Sequence, residues 1–293
     1  MAPRSFVWLD VFTDQPFRGN ALAVLPEADG LTEAQMRSIA RELNLSETTF
    51  VSAPETAGTT HRVRIFTATR ELPFAGHPTV GTAIALAEAS GADDVHLVLG
   101  LTAGPTPVHV MRDPQGLRHA SFVSPKVPRL APAPESLVDV AGLVGLVDAD
   151  LDPTIPAHLT DSGGTVFLVI AVRSLDALAR CRSVGAAPDV VGIYVVCAVD
   201  GAWRCRMFAP EAGVVEDPAT GSAGCSFAGT LHRYVPGYDA DGTYEVDIRQ
   251  GVEMGRASRL ALSFDVSGGQ IIEVRMRGAA VPVLRGQLEV AGL

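Results

Sequence analysis

Two short segments of the chain share a pattern in which an acid is followed by proline two positions later and by glycine five positions later. The first segment runs from Glu71 to His77 and the second from Glu216 to Ser222. Each continues into small and apolar residues that are typical of a buried helix. The first N–H groups of a helix lack intrahelical partners and carry partial positive charge, so each segment could hold a carboxylate. Two such helix starts predict a site for a small acidic molecule.

The two copies differ in the side chains that they offer for binding or proton transfer. His77 follows Gly76 in the first copy, whereas the second copy has Asp217 near its start and Ser222 directly after Gly221. A lone histidine could also be a surface or helix-capping residue. Serine is a preferred N-cap, a role that is compatible with ligand binding because both use the same helix terminus. The residues alone leave these alternatives open.

A further candidate, Glu47, lies outside both copies. It stands between a predicted helix and an apolar strand, among small hydroxyl side chains in the segment Leu45–Phe50. Desolvation in a cleft raises the pKa of a carboxyl group toward neutrality and suits it to general acid–base catalysis. An exposed glutamate at a helix end is the alternative, and the spacing does not decide between the two.

Positioning these residues requires a mixed α+β scaffold with mostly antiparallel sheets. A helix is predicted over Thr32–Leu43, where a capping box marks the start and Asn44 can end it. The alternating segments His61–Phe66 and Arg204–Phe208 predict half-buried strands that precede the two copies of the pattern. A second helix is predicted near 175–182. Further strands are predicted at 6–13, 21–25, 46–51, 95–99, 107–111, 117–122, 166–172, 190–198, 244–249, 259–266 and 271–277.

The domain organisation follows from a cluster of four prolines between Pro125 and Pro134. This composition predicts a linker over residues 125–134. We therefore expect an N-terminal domain of residues 1–124 and a C-terminal domain of residues 135–277. A last strand at about 278–293 is expected to return to the first domain.

The composition limits the partners of the protein. A chain of 293 residues with 47% hydrophobic residues is long enough for two domains that each bury a core. Its net charge of −10, without a basic cluster, argues against nucleic-acid binding. There is no apolar run near the roughly 20 residues of a membrane span, and the first residues do not resemble a signal peptide. We therefore expect a cytoplasmic protein with neither a nucleic-acid nor a membrane partner.

The sequence predicts neither a metal site nor a cofactor. The four cysteines form no CxxC pair, and no Cys/His spacing resembles a zinc motif, so buried thiols are expected. The single lysine, Lys126, lies in a proline-rich segment. That is a poor position for the Schiff-base lysine of a pyridoxal-phosphate enzyme.

Several ordered motifs resemble the PhzF family of phenazine-biosynthesis isomerases. They are Phe12–Asn20, Leu43–Phe50, Glu71–Thr79, Glu216–Ala223 and the later segment Gln250–Ser258. The resemblance implies a diaminopimelate-epimerase-like fold, in which two pseudo-symmetric domains each wrap a sheet around a central helix and the active site lies between them. It also implies a homodimer and proton-transfer chemistry without a cofactor.

The resemblance also implies roles for individual residues. Glu47 would match the general acid/base, and His77 and Asp217 would match a polar pair that assists proton relay and substrate binding. These two residues stand at the positions of the epimerases' paired cysteines, so a two-thiol racemase is not expected. The groups that hold the substrate carboxylate and hydroxyl would be Gly76, Gly221 and Ser222.

We therefore expect an isomerase that moves a C–H proton and a double bond within a small cyclic carboxylic or amino acid. Such a reaction would serve phenazine or antibiotic biosynthesis, with Glu47 carrying the proton in the inter-domain cleft. Three alternatives stay open: isomerisation of a pyrroline-type antibiotic precursor, racemisation or epimerisation of a small amino acid, and a non-catalytic binding protein.

Overall fold

The structure is a computed structural model that describes residues 3–135, 137–161, 165–185, 187, 189–210 and 213–290. The chain divides into two compact units. The first unit comprises Met1–Val123 and Arg277–Leu293, and the second comprises Ser124–Met276. Within the described ranges, none of the helices has the length and apolar character needed to cross a membrane.

The described secondary structure consists mainly of strands. In chain order these are β1 (Arg4–Val11), β2 (Asn20–Leu25), β3 (Glu47–Ser52), β4 (His61–Phe66), β5 (Glu71–Leu72), β6 (Asp94–Leu101), β7 (Gly104–Arg112), β8 (Arg118–Val123), β9 (Arg129–Pro132), β10 (His158–Asp161), β11 (Val166–Ala171), β12 (Gly192–Val199), β13 (Ala202–Ala209), β14 (Val214–Asp217), β15 (Gly242–Gln250), β16 (Ser258–Ser267) and β17 (Gln270–Leu288). The helices are α1 (Glu33–Leu43), α2 (Gly76–Ser90), α3 (Leu175–Arg180) and α4 (Gly221–Tyr234), with 3-10 turns at Gly142–Val144 and Asp148–Asp150.

The first unit arranges its strands around the buried helix α2. Strand β1 pairs antiparallel with β2 and with the last part of β17, and β2 pairs parallel with β3. Strand β4 pairs antiparallel with β3 and parallel with β6, which continues through β7 to β8. Helix α2 packs against these strands so closely that a Cβ on Gly81 would lie 2.5 Å from Leu22 and 2.7 Å from Val11. The small residues after the first glycine motif therefore serve close helix–sheet packing.

Helix α1 has the bounds that its sequence predicts. Thr32 and Gln35 form the capping box, and Asn44 ends the helix in the left-handed conformation with φ of 49°. The buried face of α1 packs with Phe50 and Phe66 of the neighbouring strands, whose rings meet edge to face with centroids 5.5 Å apart. The C-terminal end of α1 is followed within a few residues by β3.

The second unit repeats the arrangement with α4 as its buried helix. Strand β12 pairs antiparallel with β13, which pairs parallel with β15, and β15 continues antiparallel to β16. On the other side, β11 pairs parallel with β12 and antiparallel with β10. Phe227 of α4 packs against the rings of Trp203 and Tyr194, at centroid distances of 4.9 and 6.1 Å. Thus each unit has a sheet that packs on one long helix.

The proline-rich segment 125–134, which the sequence predicts as a linker, is partly in strand conformation. It contains β9, which pairs antiparallel with β10, so Arg129 lies opposite Asp161 and Pro132 opposite His158. The prolines flank the segment Arg129–Ala131, which can still form strand hydrogen bonds. The helix predicted near 175–182 ends earlier, at Arg180, because Cys181 takes an extended conformation with ψ of 143°.

The acid that opens each glycine motif pairs with an arginine on the preceding strand. Arg64 Nε lies 2.8 Å from Glu71 Oε1, and its Nη2 also contacts Glu71 Oε2. Arg206 binds Glu216 in the same two-pronged way, at 2.9 and 2.8 Å. Each guanidinium also lies about 5 Å from the ring of the phenylalanine two residues further along the strand. These acids therefore hold the chain that leads into each buried helix.

The second of these ion pairs is the more deeply buried. Side-chain exposure is 9% for Arg206 and 12% for Glu216, against 22% and 19% for Arg64 and Glu71. Arg206 Nη1 also donates to the carbonyls of Leu178, Ala179 and Cys181 at the end of α3. Removal of Arg206 would leave a buried carboxylate and three carbonyl groups without this donor.

We expect Arg206→Ala to lower the free energy of unfolding by about 3 kcal/mol, because breaking a buried ion pair leaves an uncompensated charge. Arg64→Ala should lower it by about 1 kcal/mol, since water can reach its partner more readily. Urea denaturation of both variants and the parent protein measures the difference. Equal losses for the two variants would contradict the assignment of Arg206 as the stronger structural contact.

Candidate active site

Glu47 is the first residue of β3, where the chain leaves the end of α1. It lies opposite Leu22 of β2 in the parallel register, and its side chain is only 15% exposed. The structure therefore excludes the alternative of an exposed glutamate at a helix end. A carboxyl group in this position is shielded from water on most sides, which strengthens its interactions with neighbouring dipoles.

His77 is the second residue of α2 and is buried. Ala75 takes the N-cap position, so His77 is neither a surface nor a capping residue. Its Nε2 atom lies 3.3 Å from Oε2 of Glu47, although the ring N–H does not point straight at that oxygen. The structure thus brings together Glu47 and His77, two of the predicted site residues, and places Gly76 at the adjoining helix start.

Asn20 determines which nitrogen of His77 carries the proton. The amide nitrogen of this buried residue lies 3.2 Å from His77 Nδ1. An amide NH₂ group donates, so Nδ1 accepts and the ring proton resides on Nε2, the atom that faces Glu47. Burial also lowers the pKa of His77 to about 3, so the ring is neutral at neutral pH. His77 therefore places a neutral ring, with its proton on Nε2, beside the carboxyl group of Glu47.

In the second unit, Asp217 belongs to a small polar cluster at the start of α4. Its Oδ2 accepts a hydrogen bond of 2.5 Å from the hydroxyl of Thr220. The fully buried Gln250 donates to the main-chain oxygen of Asp217 at 2.8 Å and to the Thr220 hydroxyl at 2.9 Å. The cluster fixes both the carboxylate and the chain that enters the helix.

The start of α4 presents Gly221 and Ser222 as its first two residues. Thr220 takes the N-cap position, so Ser222 is not the N-cap that its residue type permits. As at any helix start, the first N–H groups point away from the helix and can bind an anion. The second glycine motif therefore supplies a helix start, a hydroxyl and a carboxylate within one unit.

The sequence does not identify Asn20, Thr220 or Gln250 as site residues. Asn20 and Gln250 lie in segments that contribute to the family resemblance, at the end of Phe12–Asn20 and at the start of Gln250–Ser258. Their partners are 57 and 33 positions away in the chain. No local spacing shows such pairs, so only the fold reveals them.

The neutral state of His77 predicts a pH dependence of stability. The pKa of this histidine falls from an ordinary value of 6.5 to about 3 on folding, so the unfolded state takes up a proton first as pH falls. The free energy of unfolding is therefore highest with respect to this histidine above pH 6.5. It decreases as the pH falls from 6.5 toward 3, because only the unfolded state takes up the proton. The loss is at most about 1.4 kcal/mol per pH unit.

Urea denaturation of the parent protein and of His77→Gln across this pH range checks the expectation. The parent should lose more stability on acidification than the variant does. His96→Gln, at a surface histidine, is the control and should follow the parent. Parallel curves for the parent and His77→Gln would show that His77 is not held neutral by burial.

The sequence is similar to those of known proteins. It matches the family described as phenazine biosynthesis-like protein (PhzC-PhzF) over residues 9–286. It is 37% identical to an uncharacterised isomerase of Mesorhizobium japonicum, across 98% of this chain and 99% of that protein. It is 36% identical to the trans-2,3-dihydro-3-hydroxyanthranilate isomerase of Pseudomonas aeruginosa, across 94% and 96%.

The fold is also similar to that of a solved structure. The crystal structure of a phenazine biosynthesis protein of the PhzF family from Bacillus anthracis is similar, with a TM-score of 0.88 and 26% sequence identity. The match covers 99% of this chain and 100% of that chain. The similarity therefore extends through both units.

Proposed function

Since the chain belongs to the PhzC-PhzF family of phenazine biosynthesis-like proteins, in which its relatives are named isomerases, we propose that it isomerises a small cyclic acid by moving a C–H proton. The observation that carries the proposal is the shielded carboxyl group of Glu47 beside the neutral ring of His77. A carboxylate in this setting can accept a proton from an activated carbon and return it elsewhere. Proton and double bond then both shift, and the composition of the molecule is unchanged.

His77 acts in this proposal as a hydrogen-bond donor and not as a proton carrier. Its Nε2–H faces Glu47, and its Nδ1 is occupied by the amide of Asn20. Formation of an imidazolium is unfavourable because burial lowers the pKa of His77 to about 3. Glu47 therefore keeps the proton that it accepts, and we assign to the Nε2–H of His77 a hydrogen bond to this carboxyl group during the reaction.

The glycine motifs supply the binding groups of the proposal. We assign the helix starts at Gly76 and Gly221 to anionic oxygens of the substrate, and the hydroxyl of Ser222 to a hydrogen bond with one of them. Asp217, oriented by Thr220, would pair with an amino or hydroxyl group of the substrate. These roles make a small molecule with a carboxylate and a neighbouring polar group the preferred substrate.

The substrate class is proposed from these groups and from the relatives. One relative acts by name on trans-2,3-dihydro-3-hydroxyanthranilate, which makes this compound the first to test. A role in phenazine or antibiotic biosynthesis, a homodimer, a cytoplasmic location and the diaminopimelate-epimerase-like arrangement of two pseudo-symmetric domains belong to the same proposal. Racemisation and non-catalytic binding are outcomes of the tests below.

We expect Glu47→Gln to lower kcat by about 10²–10⁴, because the amide cannot accept the proton. Binding of an anthranilate-type ligand should persist, since the helix starts are unchanged. The measurement is conversion of trans-2,3-dihydro-3-hydroxyanthranilate followed by absorbance, with NMR of the product formed in D₂O. Glu42→Gln, on the exposed side of α1, is the matched control and should retain full activity.

Near-normal turnover by Glu47→Gln would remove Glu47 from the reaction. Solvent exchange at a carbon without a shift of the double bond would indicate a racemase or epimerase. Saturable binding of the ligand without either process would indicate a binding protein.

Asn20 offers a second test, because its substitution changes the tautomer of His77. In Asn20→Asp the carboxylate accepts a hydrogen bond from Nδ1–H, so the neutral ring carries its proton on Nδ1 and turns the lone pair of Nε2 toward Glu47. We expect kcat of Asn20→Asp to fall about 10²-fold. The decrease should be smaller in Asn20→Ala, where no side chain at position 20 selects either tautomer of His77. Nitrogen NMR of the histidine ring reports the tautomer directly. A variant with the altered tautomer but normal kcat would rule out the positioning role.

A further inference from the structure

The hairpin formed by β6 and β7 carries three side chains on its outer surface whose types can bind a metal ion. His96 and His109 lie directly opposite each other in the antiparallel register, and Asp94 lies two residues before His96 on the same face. The alternate residues Leu97 and Val110 are buried in the first unit. Because successive strand residues point to opposite faces, the register fixes all three polar side chains on the solvent side.

The three side chains converge on one point. The rings of His96 and His109 are stacked in parallel with centroids 4.1 Å apart. Oδ1 of Asp94 lies 2.8 Å from Nε2 of His109 and 3.6 Å from Nε2 of His96. A ligand atom from each residue lies within 4.8 Å of the other two. Both imidazoles thus direct the same type of nitrogen toward a shared carboxylate oxygen.

We propose that Asp94, His96 and His109 bind a divalent transition-metal ion, with Zn²⁺ as the first candidate. Two imidazole nitrogens and a carboxylate oxygen are a ligand set that zinc accepts in tetrahedral geometry, with water in the fourth position. Nitrogen ligands of this kind do not suit Mg²⁺ or Ca²⁺, which prefer oxygen ligands. The site is independent of the proposed isomerase function.

The setting of the three residues defines what kind of site this is. His96 and Asp94 are exposed and His109 is partly exposed, so solvent can complete the coordination shell. The paired backbone holds the two histidines in register, and in the proposed site both imidazole rings tilt out of their parallel stack to direct a nitrogen at one ion. Sequence spacing does not reveal the site, because a zinc motif is sought along the chain and these histidines meet only across the hairpin.

A nearby pair provides a matched comparison. His119 Nε2 lies 3.0 Å from Asp113 Oδ2, a histidine–carboxylate contact in the same unit. Among the described residues, no third histidine, cysteine or carboxylate side chain joins this pair to form a group of three possible metal ligands. Among the described residues, the carboxylate of Asp113 therefore meets one imidazole, whereas that of Asp94 meets two.

The test is titration of the tag-free full chain with zinc chloride by isothermal calorimetry. We expect one Zn²⁺ per chain with a Kd on the order of micromolar, as befits an exposed site with three protein ligands. Magnesium chloride should produce no saturable binding. His96→Gln and His109→Gln should each weaken zinc binding about tenfold or more, and the double variant should abolish it.

His119→Gln should bind zinc as the parent does, and circular dichroism should show that all variants remain folded. Histidine ring signals in NMR spectra of the parent should shift for His96 and His109 on addition of zinc. Absence of saturable zinc binding by the parent would overturn the proposal. Binding that persists in the double variant would equally overturn it, because the ion would then occupy another place.

Discussion

The first turn of α2 is buried, and this constraint governs the candidate active site of the first unit. A buried helix start brings polar groups into a region that water scarcely reaches, where each polar group needs a partner. His77 meets this need at Nδ1, which accepts from the amide of Asn20, while Nε2 lies 3.3 Å from Glu47 Oε2 without an aligned hydrogen bond. Packing around the helix makes the burial possible, because Gly81 allows Leu22 and Val11 to approach closely. The chemistry of the site thus follows from the packing of one helix.

The repeated glycine motif contains a part that is common to both copies and a part that differs between them. Its opening acid is bound by an arginine of the preceding strand in both copies, through Arg64–Glu71 and Arg206–Glu216. The shared part of the pattern therefore positions the chain. The polar residues differ between the copies and have different hydrogen-bond partners. His77 accepts from Asn20, and Asp217 accepts from Thr220. The two copies thus share the ion pair that supports the helix start and differ in the polar groups that they carry there.

The sequence predicts those parts of the fold whose signals are local. The bounds of α1 follow from its capping box and from Asn44, and β4 follows from its alternating pattern. Strand β9 escaped prediction because its prolines resemble a linker, and its pairing with β10 depends on a contact between distant segments. The contacts of Asn20 and Gln250 cannot be predicted from the sequence for the same reason, because their hydrogen-bond partners lie far along the chain. Residue types identify Glu47 and His77 as candidates, but they do not predict how the imidazole of His77 is oriented between Asn20 and Glu47.

The orientation of His77 has a consequence for the route of the proton in the proposed reaction. A relay through the ring would require Nδ1 to accept a proton while Nε2 releases one, and the amide of Asn20 opposes this by donating to Nδ1. The cost of an imidazolium in this buried place opposes it further. A proton taken up by Glu47 then has two exits, the substrate or the solvent, and the side chain is largely shielded from solvent. Return to another carbon of the same substrate is therefore favoured over exchange, so the proposed reaction transfers the proton within one molecule.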